Sequence, residues 1–412
     1  MKNALALVAL VCISAGPAEN TDWGQFRGPN RDGLSPDTGL LKQWPSTGPT
    51  LAWKVTGLGK GASSLSILGD KMYTMGDLAD GCHLICLNAA DGKIVWTTKI
   101  GAPWVDEKWL HGPRGTPSTD GTLVIGLTPN GDILCADAAT GKEKWKKSMK
   151  GDFPGKMMSG WGFSESPLLD GDNVVITPGG SKGTVAALKK ATGELVWQSS
   201  GITDNAAYAS LVPVEIGGVR QYLLLTDASV AGIGAKDGKV LWRAARSGKT
   251  AVIPTPVYKD GIVFVTSGYG VGCNAFKVTE SGGSFSVAEV YAGKQMGNHH
   301  GGVIVVGDYL YGLDDRALKC IELKTGKVVW QDNSVGKGSI AYADGHLVCR
   351  SENEKKGEIA LVEASSEGYK EKGRFTQPEL SGKKCWAHPV VFGGKMYIRD
   401  HDLLLCYDVK AK

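Results

Sequence analysis

Side chains that could bind a ligand are concentrated in four short segments of the chain. They are 104–115 (WVDEKWLHGPRG), 159–166 (SGWGFSES), 298–302 (NHHGG) and 384–388 (KCWAH), and they hold four of the seven histidines. Indole rings can stack on a planar or cationic group, and guanidinium or imidazole groups can bind anionic or hydroxylated atoms. These residue types indicate a site for a polar organic molecule, provided that the fold brings the segments together.

Motifs that would name a reaction are missing. The sequence has no Cys-x-x-Cys, His-x-x-x-His or P-loop, and no serine has a base at a defined spacing that would make it a nucleophile. His111, His299, His300 and His388 could converge on a transition metal, which imidazole suits. Their separation along the chain does not make a ligand set, so no metal is predicted. Whether the chain is an enzyme stays open.

A repeated strand-turn-strand phrase that ends in tryptophan supplies the scaffold. Its five copies are CLNAADGKIVW (86–96), CADAATGKEKW (135–145), ALKKATGELVW (187–197), GIGAKDGKVLW (232–242) and CIELKTGKVVW (320–330). Asp-Gly or Thr-Gly between two apolar runs is a hairpin signal, because glycine accepts the positive φ of such turns. Two degenerate copies follow the same plan at 268–293 and 357–375, the second with Phe375 in the tryptophan position. A period of about 40–50 residues with four strands is typical of a propeller blade.

The two ends of the chain predict how the ring closes. Eight inner hairpins can be counted, but the last unit (393–412) stops before its tryptophan strand. A spare tryptophan strand, TLAWKVTG (50–57), precedes the first hairpin. If it completes the last blade, no free sheet edge remains. We therefore predict an all-β, eight-bladed propeller of four-stranded antiparallel blades, closed by the N-terminal strand.

Alignment of the innermost strands gives two rings of equivalent positions. One consists mostly of small hydroxyl residues and is assigned to structure: Ser64, Thr116, Ser166, Ser210, Thr255, Gly302, Ser339 and His388. Two residues earlier the positions vary: Ala62, Arg114, Ser164, Tyr208, Ile253, His300, Lys337 and Trp386. Variation on a regular scaffold is where function is added. We predict that eight residues face one ligand-binding funnel: Arg114, Trp161, Glu165, Tyr208, His300, Lys337, Trp386 and His388.

The repeat also carries a family resemblance. The phrase from Ala136 to Trp145 (ADAATGKEKW) resembles the repeat of the quinoprotein, or PQQ-like, propellers, which include quinoprotein alcohol dehydrogenases and BamB-type outer-membrane assembly lipoproteins. The segment DWGQFRGPNRDGLS (22–35) resembles the start of many exported bacterial proteins with such repeats. The resemblance covers roughly residues 50–412 and implies the fold. It does not select a function, because the motif is structural.

The quinoprotein alcohol dehydrogenases of this family have a cofactor site that needs several specific residues. They hold PQQ between a tryptophan and a ring of adjacent cysteines, with Ca²⁺ on Glu, Asn and Asp. Here Trp161, Glu165 and Asn298 could imitate parts of it, but there is no adjacent cysteine pair and no matching Asp. A Cys-x-x-Cys-His haem site is also missing. PQQ with Ca²⁺ remains open as a cofactor, and none is firmly implied.

Composition and termini predict the location and the partners. Residues 1–18 have the pattern of a signal peptide, 19–49 form an N-terminal extension and 50–412 the propeller, so the protein is expected to be exported, periplasmic or extracellular. The residues before Cys12 fit a lipobox poorly, so a lipoprotein is not expected. The net charge is +4, and the lysines and arginines are scattered along the sequence, so no basic patch that would bind nucleic acid is predicted. No later stretch spans a membrane. We expect a monomer whose eight remaining cysteines are free buried thiols.

The sequence therefore predicts a bacterial exported scaffold that binds a small polar ligand or an envelope protein, with no reaction established. One alternative is a PQQ- or metal-dependent dehydrogenase that acts on an alcohol or a sugar. The other is an envelope assembly scaffold of the BamB type, which would bind a partner through blade-edge loops.

Overall fold

The computed structural model describes residues 22–353 and 355–412. All regular elements in these ranges are strands, thirty-two in number, in eight four-stranded antiparallel sheets. The sheets form the ring of a propeller, as predicted. The predicted signal peptide lies outside the described residues. Within the described part of the chain, no helix is long and apolar enough to cross a membrane.

The first four complete blades follow one another along the chain, each with its innermost strand first. The strands of blade 1 are β2 (Ser66–Leu68), β3 (Lys71–Leu78), β4 (Gly81–Asn88) and β5 (Ile94–Gly101). The strands of blade 2 are β6 (Ser118–Thr119), β7 (Leu123–Leu127), β8 (Asp132–Asp137) and β9 (Glu143–Ser148). The strands of blade 3 are β10 (Leu168–Asp170), β11 (Asn173–Ile176), β12 (Ala186–Lys189) and β13 (Leu195–Gln198). The strands of blade 4 are β14 (Val212–Ile216), β15 (Val219–Leu225), β16 (Ser229–Gly234) and β17 (Val240–Ala245).

The remaining blades repeat this order, except that the last takes its outer strand from the start of the chain. The strands of blade 5 are β18 (Val257–Lys259), β19 (Ile262–Ser267), β20 (Gly272–Ser281) and β21 (Ser284–Gly293). The strands of blade 6 are β22 (Val303–Val306), β23 (Tyr309–Leu313), β24 (Leu318–Glu322) and β25 (Val328–Asp332). The strands of blade 7 are β26 (Gly338–Ala343), β27 (His346–Ser351), β28 (Glu358–Glu363) and β29 (Glu371–Thr376). The strands of blade 8 are β30 (Val390–Phe392), β31 (Lys395–Asp400), β32 (Leu403–Asp408) and β1 (Thr50–Val55).

Ring closure by the N-terminal strand is confirmed. Strand β1 pairs antiparallel with β32 from Thr50 opposite Asp408 to Val55 opposite Leu404, with a register shift between Leu51 and Trp53. The pairing supplies the outer strand that the last unit lacks. It also covers an edge that would otherwise present unpaired N–H and C=O groups.

The repeated tryptophans join each blade to the next. The indole of Trp96 packs against Gly141 in the turn of blade 2, where an added Cβ would lie 2.6 Å from the ring and φ is +72°. Trp145 packs in the same way on Gly193, and its Nε1–H donates to Lys190 O at 2.9 Å. Glycine is required in these turns both for the positive φ and for the space that the indole occupies.

The repeated tryptophans are not all buried to the same extent, as residues of a single core would be. Trp145 and Trp242 are buried, whereas Trp96, Trp197 and Trp330 are half-buried. In the degenerate copy of blade 5, Tyr291 takes the tryptophan position and its hydroxyl donates to Leu323 O at 2.9 Å. These side chains work as clamps between blades.

The predicted free thiols are confirmed for the cysteines that the structure describes. All eight are buried and none is in a disulfide. Those at the shared repeat position lie on the third strand of their blades, and they are Cys86, Cys135, Cys320 and Cys406. Each contributes to an apolar cluster that fills the space beside its blade.

Residues 22–35 cross the ring from blade to blade, and we call them the N-terminal plug. Trp23 forms a bridge with Ile67 of blade 1, and the N–H of Ser35 donates to Tyr342 O of blade 7 at 2.9 Å. Between them, the fully buried Arg31 donates to Leu211 O at 2.8 Å, at the start of blade 4. The plug therefore ties distant blades together near the axis.

Candidate functional site

A cavity of about 380 Å³ lies where the innermost strands begin. All eight residues of the variable ring line it: Ala62, Arg114, Ser164, Tyr208, Ile253, His300, Lys337 and Trp386. Trp161 and His388 line it as well, so seven of the eight predicted funnel residues share one cavity. Its volume is in the range of sites for small organic molecules.

The ring of small hydroxyl residues links the blades around the axis. The N–H of Ser64 donates to Thr116 Oγ1 at 3.2 Å, and the N–H of Thr116 donates to Ser166 Oγ at 2.9 Å. The N–H of Ser166 in turn donates to Ser210 Oγ at 2.9 Å. The hydroxyls of Thr116, Ser166 and Ser210 therefore each satisfy a backbone donor of the neighbouring blade, which supports the structural assignment of this ring.

The N-terminal plug contributes Phe26 and Arg27 to the cavity wall. The Phe26 ring meets the edge of His388 at a centroid distance of 5.2 Å. Arg27 donates through Nη2 to Val303 O and Asp32 O, while its Nε and Nη1 have no partner among the described residues. Burial lowers the pKa of Arg27 to about 10, so the side chain is still a cation at neutral pH. A buried cation with unsatisfied donors therefore lies beside the cavity.

Arg114 organises the side of the cavity formed by blades 2 and 3. Its Nη1 donates to Trp161 O and its Nη2 to Leu110 O at 3.1 Å, and Asp106 lies 3.7 Å away. Burial lowers the pKa of Arg114, and the Asp106 carboxylate opposes that shift. The indole of Trp161 is tilted against Tyr208 at a centroid distance of 6.4 Å. The guanidinium thus holds an aromatic wall in place.

Glu352, which is not among the residues predicted from the sequence, is the centre of the opposite side of the cavity. Its Oε1 accepts from Trp386 Nε1 at 2.9 Å, and its Oε2 lies 3.0 Å from Lys337 Nζ. Lys384 Nζ lies 3.8 Å from Oε1. The carboxylate is nearly buried, with 9% of its side chain exposed. It therefore fixes two of the predicted residues, Lys337 and Trp386, in the cavity wall.

The histidines of segment 298–302 form a second cluster beside Glu352. The Nδ1 atoms of His299 and His300 are 3.1 Å apart, and His299 Nε2 is 2.8 Å from the Tyr269 hydroxyl. His388 Nε2 lies 2.9 Å from His300 O. Burial lowers the pKa of His299 and of His388 to about 4, and it holds the pKa of His300 well below the ordinary value. The three rings are therefore neutral at neutral pH.

Glu165 does not line the cavity, contrary to the prediction. Ser164 and Ser166 on either side of it do, and successive side chains of an extended segment point to opposite faces. Its buried carboxylate accepts from the Thr177 N–H and faces Arg31 of the plug. Burial raises the pKa of Glu165 to about 7, against the opposing effect of the Thr177 bond and of Arg31. Glu165 is part of the support beneath the cavity.

Three further residues of the cavity wall share one position in the repeat, just after the second strand of their blade. Tyr269, Asp315 and Glu352 come one or two residues after the second strand of blades 5, 6 and 7. In an antiparallel blade, the end of the second strand lies beside the start of the first. Alignment of the second strands would have found them. Trp109 also lines the cavity, whereas His111 and Trp104 do not.

The residues present do not fit the calcium-quinone arrangement that the resemblance implied. Trp161 offers a stacking face, but none of the described cysteines lines the cavity. Asn298 is buried and bonded within its own region, because its Nδ2 donates to Gly302 O and Leu313 O and its Oδ1 accepts from the Gly302 N–H. With Glu165 also turned away, neither expected calcium ligand presents an oxygen to the cavity.

The cavity lining carries more cations than carboxylates. Four cations and two carboxylates are in its lining, namely Arg27, Arg114, Lys337, Lys384, Asp315 and Glu352. Aromatic rings from the plug and from several blades complete the wall. Excess positive charge and stacking faces together suit an anionic molecule that carries a ring.

Comparison with known proteins gives the relatives of the chain. Residues 80–332 match the family described as outer membrane protein assembly factor BamB. BamB of Yersinia pestis is 24% identical over 221 residues, which are 50% of this chain and 52% of that protein. BamB of Xanthomonas campestris is 26% identical over 186 residues, 44% of this chain and 41% of that protein. The matches thus span about half the length of these curated relatives, or less.

Solved structures share the fold at low sequence identity. BamB from Moraxella catarrhalis has a TM-score of 0.61 at 14% identity, and the match covers 88% of this chain and 98% of that one. Quinohemoprotein alcohol dehydrogenase from Comamonas testosteroni has a TM-score of 0.53 at 11% identity, covering 96% of this chain and 81% of that one. At these identities the likeness concerns the architecture alone.

Proposed function

The chain belongs to the PQQ-like repeat family described as outer membrane protein assembly factor BamB, and from this premise we propose that it is an exported propeller that binds a small anionic molecule. The ligand would be a hydroxylated ring with a carboxylate or phosphate group, bound in the cavity where the innermost strands begin. The location rests on the predicted signal peptide and on relatives that are named as outer-membrane assembly factors.

One observation carries this proposal, namely the convergence of chemically different side chains at one register. The scaffold positions are regular small hydroxyl residues, yet the ring two residues earlier gives the cavity Arg114, Tyr208, His300, Lys337 and Trp386. A propeller that needed only to close its channel could fill these positions with apolar side chains. Polar groups at a partly buried site cost free energy unless they gain partners.

The charge of the cavity selects the ligand class. Arg27 has two guanidinium nitrogens without a partner, and Arg114 has one, its Nε. Such buried donors are satisfied by oxygen acceptors, and a carboxylate or phosphate supplies several at once. Trp161 and Trp386 lie in the wall and offer apolar faces on which a sugar ring can pack.

Titration of the purified protein tests the proposal. Galacturonate and glucose 6-phosphate serve as probes, and glucose is the uncharged comparison. We expect calorimetric binding of at least one anionic probe and much weaker binding of glucose. Arg114→Met should weaken binding of that probe.

A cavity-filling variant is the matched control for the titration. Ile253 lines the cavity and is half-buried, so Ile253→Trp should fill the space without removing a hydrogen bond. Its melting temperature should stay near that of the wild type, while probe binding is lost. Equal binding by wild type and Ile253→Trp would place the ligand elsewhere.

A second candidate is the role that the relatives' names describe, a scaffold for outer-membrane assembly. Two exposed apolar side chains beside the cavity favour it, since Val105 is 64% and Trp109 45% exposed. Such residues in one loop form a contact point for a protein partner. Affinity purification from the host envelope, with Val105→Asp as the control, would recover a specific protein from wild type alone if this role holds.

The quinoprotein alternative has a direct assay. Added PQQ and Ca²⁺ should give no reduction of a dye with alcohols or sugars, because Glu165 and Asn298 face away from the cavity. Dye reduction that depends on both PQQ and Ca²⁺, and that is lost in Trp161→Ala, would support the dehydrogenase alternative.

A further inference from the structure

His299 and His300 lie at the spacing of two ligands of one metal ion. Zinc binds imidazole nitrogen at about 2.0–2.1 Å, so two nitrogens on one ion are about 2.9 Å apart at a right angle and about 3.4 Å apart in a tetrahedron. The Nδ1 atoms of the two rings are 3.1 Å apart. The observed spacing therefore lies between the two values that a shared ion would impose.

Glu352 adds an oxygen to this pair. One ligand atom each of His299, His300 and Glu352 lies within 4.8 Å of the others. The two carboxylate oxygens already have partners in Trp386 and Lys337, but each oxygen keeps a further lone pair. Two imidazoles and one carboxylate are a donor set that divalent transition metals accept.

The hydrogen bonds around the histidines support a ligand role. In the tautomer in which His299 Nε2–H donates to the Tyr269 hydroxyl, the Nδ1 lone pair is available, and such second-shell bonds orient metal-binding histidines. His300 can do the same, because its Nε2 has no competing partner among the described residues and can carry the proton while Nδ1 binds the ion.

From these observations, we propose that His299, His300 and Glu352 hold one divalent transition-metal ion, such as Zn²⁺, at the wall of the cavity. Three protein ligands leave a coordination position open, as in zinc sites that bind an exogenous ligand. The open position would face the cavity, which all three side chains line. The proposal does not rest on the binding of an organic anion.

Lys337 gives the site a distinctive property. Its ammonium group lies 3.0 Å from Glu352 Oε2 and repels a dication at the same carboxylate. Removal of that charge should therefore tighten metal binding, whereas a merely structural Glu352 would show no such response. Lys337→Met keeps most of the apolar stem.

Calorimetric titration with ZnCl₂ tests the site on the full-length protein after treatment with a chelator and dialysis. Wild type should bind one Zn²⁺ per chain, and Co²⁺ should give a visible spectrum of nitrogen and oxygen ligation. His300→Ala and Glu352→Gln should each weaken affinity at least about tenfold, since even outer-shell changes cost that much. Lys337→Met should bind more tightly.

His111→Ala is the matched control, because His111 does not line the cavity and is 3.5 Å from Glu107. It should bind Zn²⁺ like the wild type. The proposal is overturned if wild type binds no Zn²⁺ at micromolar concentrations, or if Glu352→Gln and Lys337→Met leave the affinity unchanged. That pair of variants decides the matter should His300→Ala fail to fold. Each result stands apart from the outcome of the sugar-anion titration.

Discussion

Arg31 attaches the N-terminal plug to the ring, and its replacement tests whether the plug is part of the fold. The guanidinium is fully buried and donates to three backbone carbonyls. Nη1 reaches Leu211 O at 2.8 Å, and Nη2 reaches Ser166 O at 2.7 Å and Pro167 O at 3.0 Å. These carbonyls belong to the starts of blades 3 and 4, so Arg31→Ala removes a link between them.

The expected loss of stability follows from the balance of two effects. A hydrogen bond from a charged donor contributes about 1.5–3 kcal/mol, but burial of the guanidinium offsets part of the gain from three of them. Burial also lowers the pKa of Arg31 to about 10. Each buried carbonyl that loses its donor costs about 1–3 kcal/mol, so three of them, less the burial cost that is regained, should amount to about 4 kcal/mol. At about 2.1 cal/mol/K per residue over about 390 residues, 4 kcal/mol corresponds to a fall of about 5 °C in Tm.

Differential scanning calorimetry at pH 7 measures this effect. Arg31→Lys should lie between Ala and the wild type, because an ammonium group keeps the charge but cannot reach the three carbonyls with a planar fork. Arg316→Ala is the control, since Arg316 is exposed. If Arg31→Ala melts like Arg316→Ala, the plug is an appendage and its assigned role is wrong.

Three further predictions concern other parts of the fold. Trp145→Ala should cost about 3–5 kcal/mol in thermal unfolding because the indole clamps blade 2 to blade 3, and a neutral effect would contradict the clamp. Because the pKa of Glu165 is raised to about 7, its contribution to stability is full below pH 4.5 and is lost as the pH rises through 7. Glu165→Gln should therefore melt above the wild type at pH 8 and near it at pH 4.5, and a difference independent of pH would refute the assignment. Deletion of residues 1–58 removes the plug and strand β1 and should cause aggregation or loss of cooperative melting compared with deletion of 1–35, which removes the plug alone, whereas equal melting would argue against ring closure as a source of stability.

The fold could be predicted because its information is local and repeated. Each Thr-Gly or Asp-Gly turn specifies a hairpin, and the tryptophan after it marks the outer strand. The spare strand at 50–57 could then be assigned to the last blade, because that blade alone lacked an outer strand. The plug could not be predicted, since residues 22–35 have no periodicity. The position of Arg31 depends on carbonyls that are more than a hundred residues away.

The candidate site was predictable as far as strand register extends. Lys337 and Trp386 line the cavity because side chains two residues apart share a face. The same alternation turned Glu165 away, since it lies one residue from that register. Glu352 was missed because the loops after the second strands were not aligned, although they lie at the same end of each blade. Its bond to Trp386 depends on the approach of two blades, which sequence alone does not show.

Native mass spectrometry of the protein purified from its own host tests the central claim, that the cavity is a ligand-binding site. Wild type should carry a bound molecule that is released on denaturation. Ile253→Trp should have the mass of the bare chain at an unchanged melting temperature. The same bound mass on both proteins, or a bare wild-type chain that also fails to bind either anionic probe, would contradict the account.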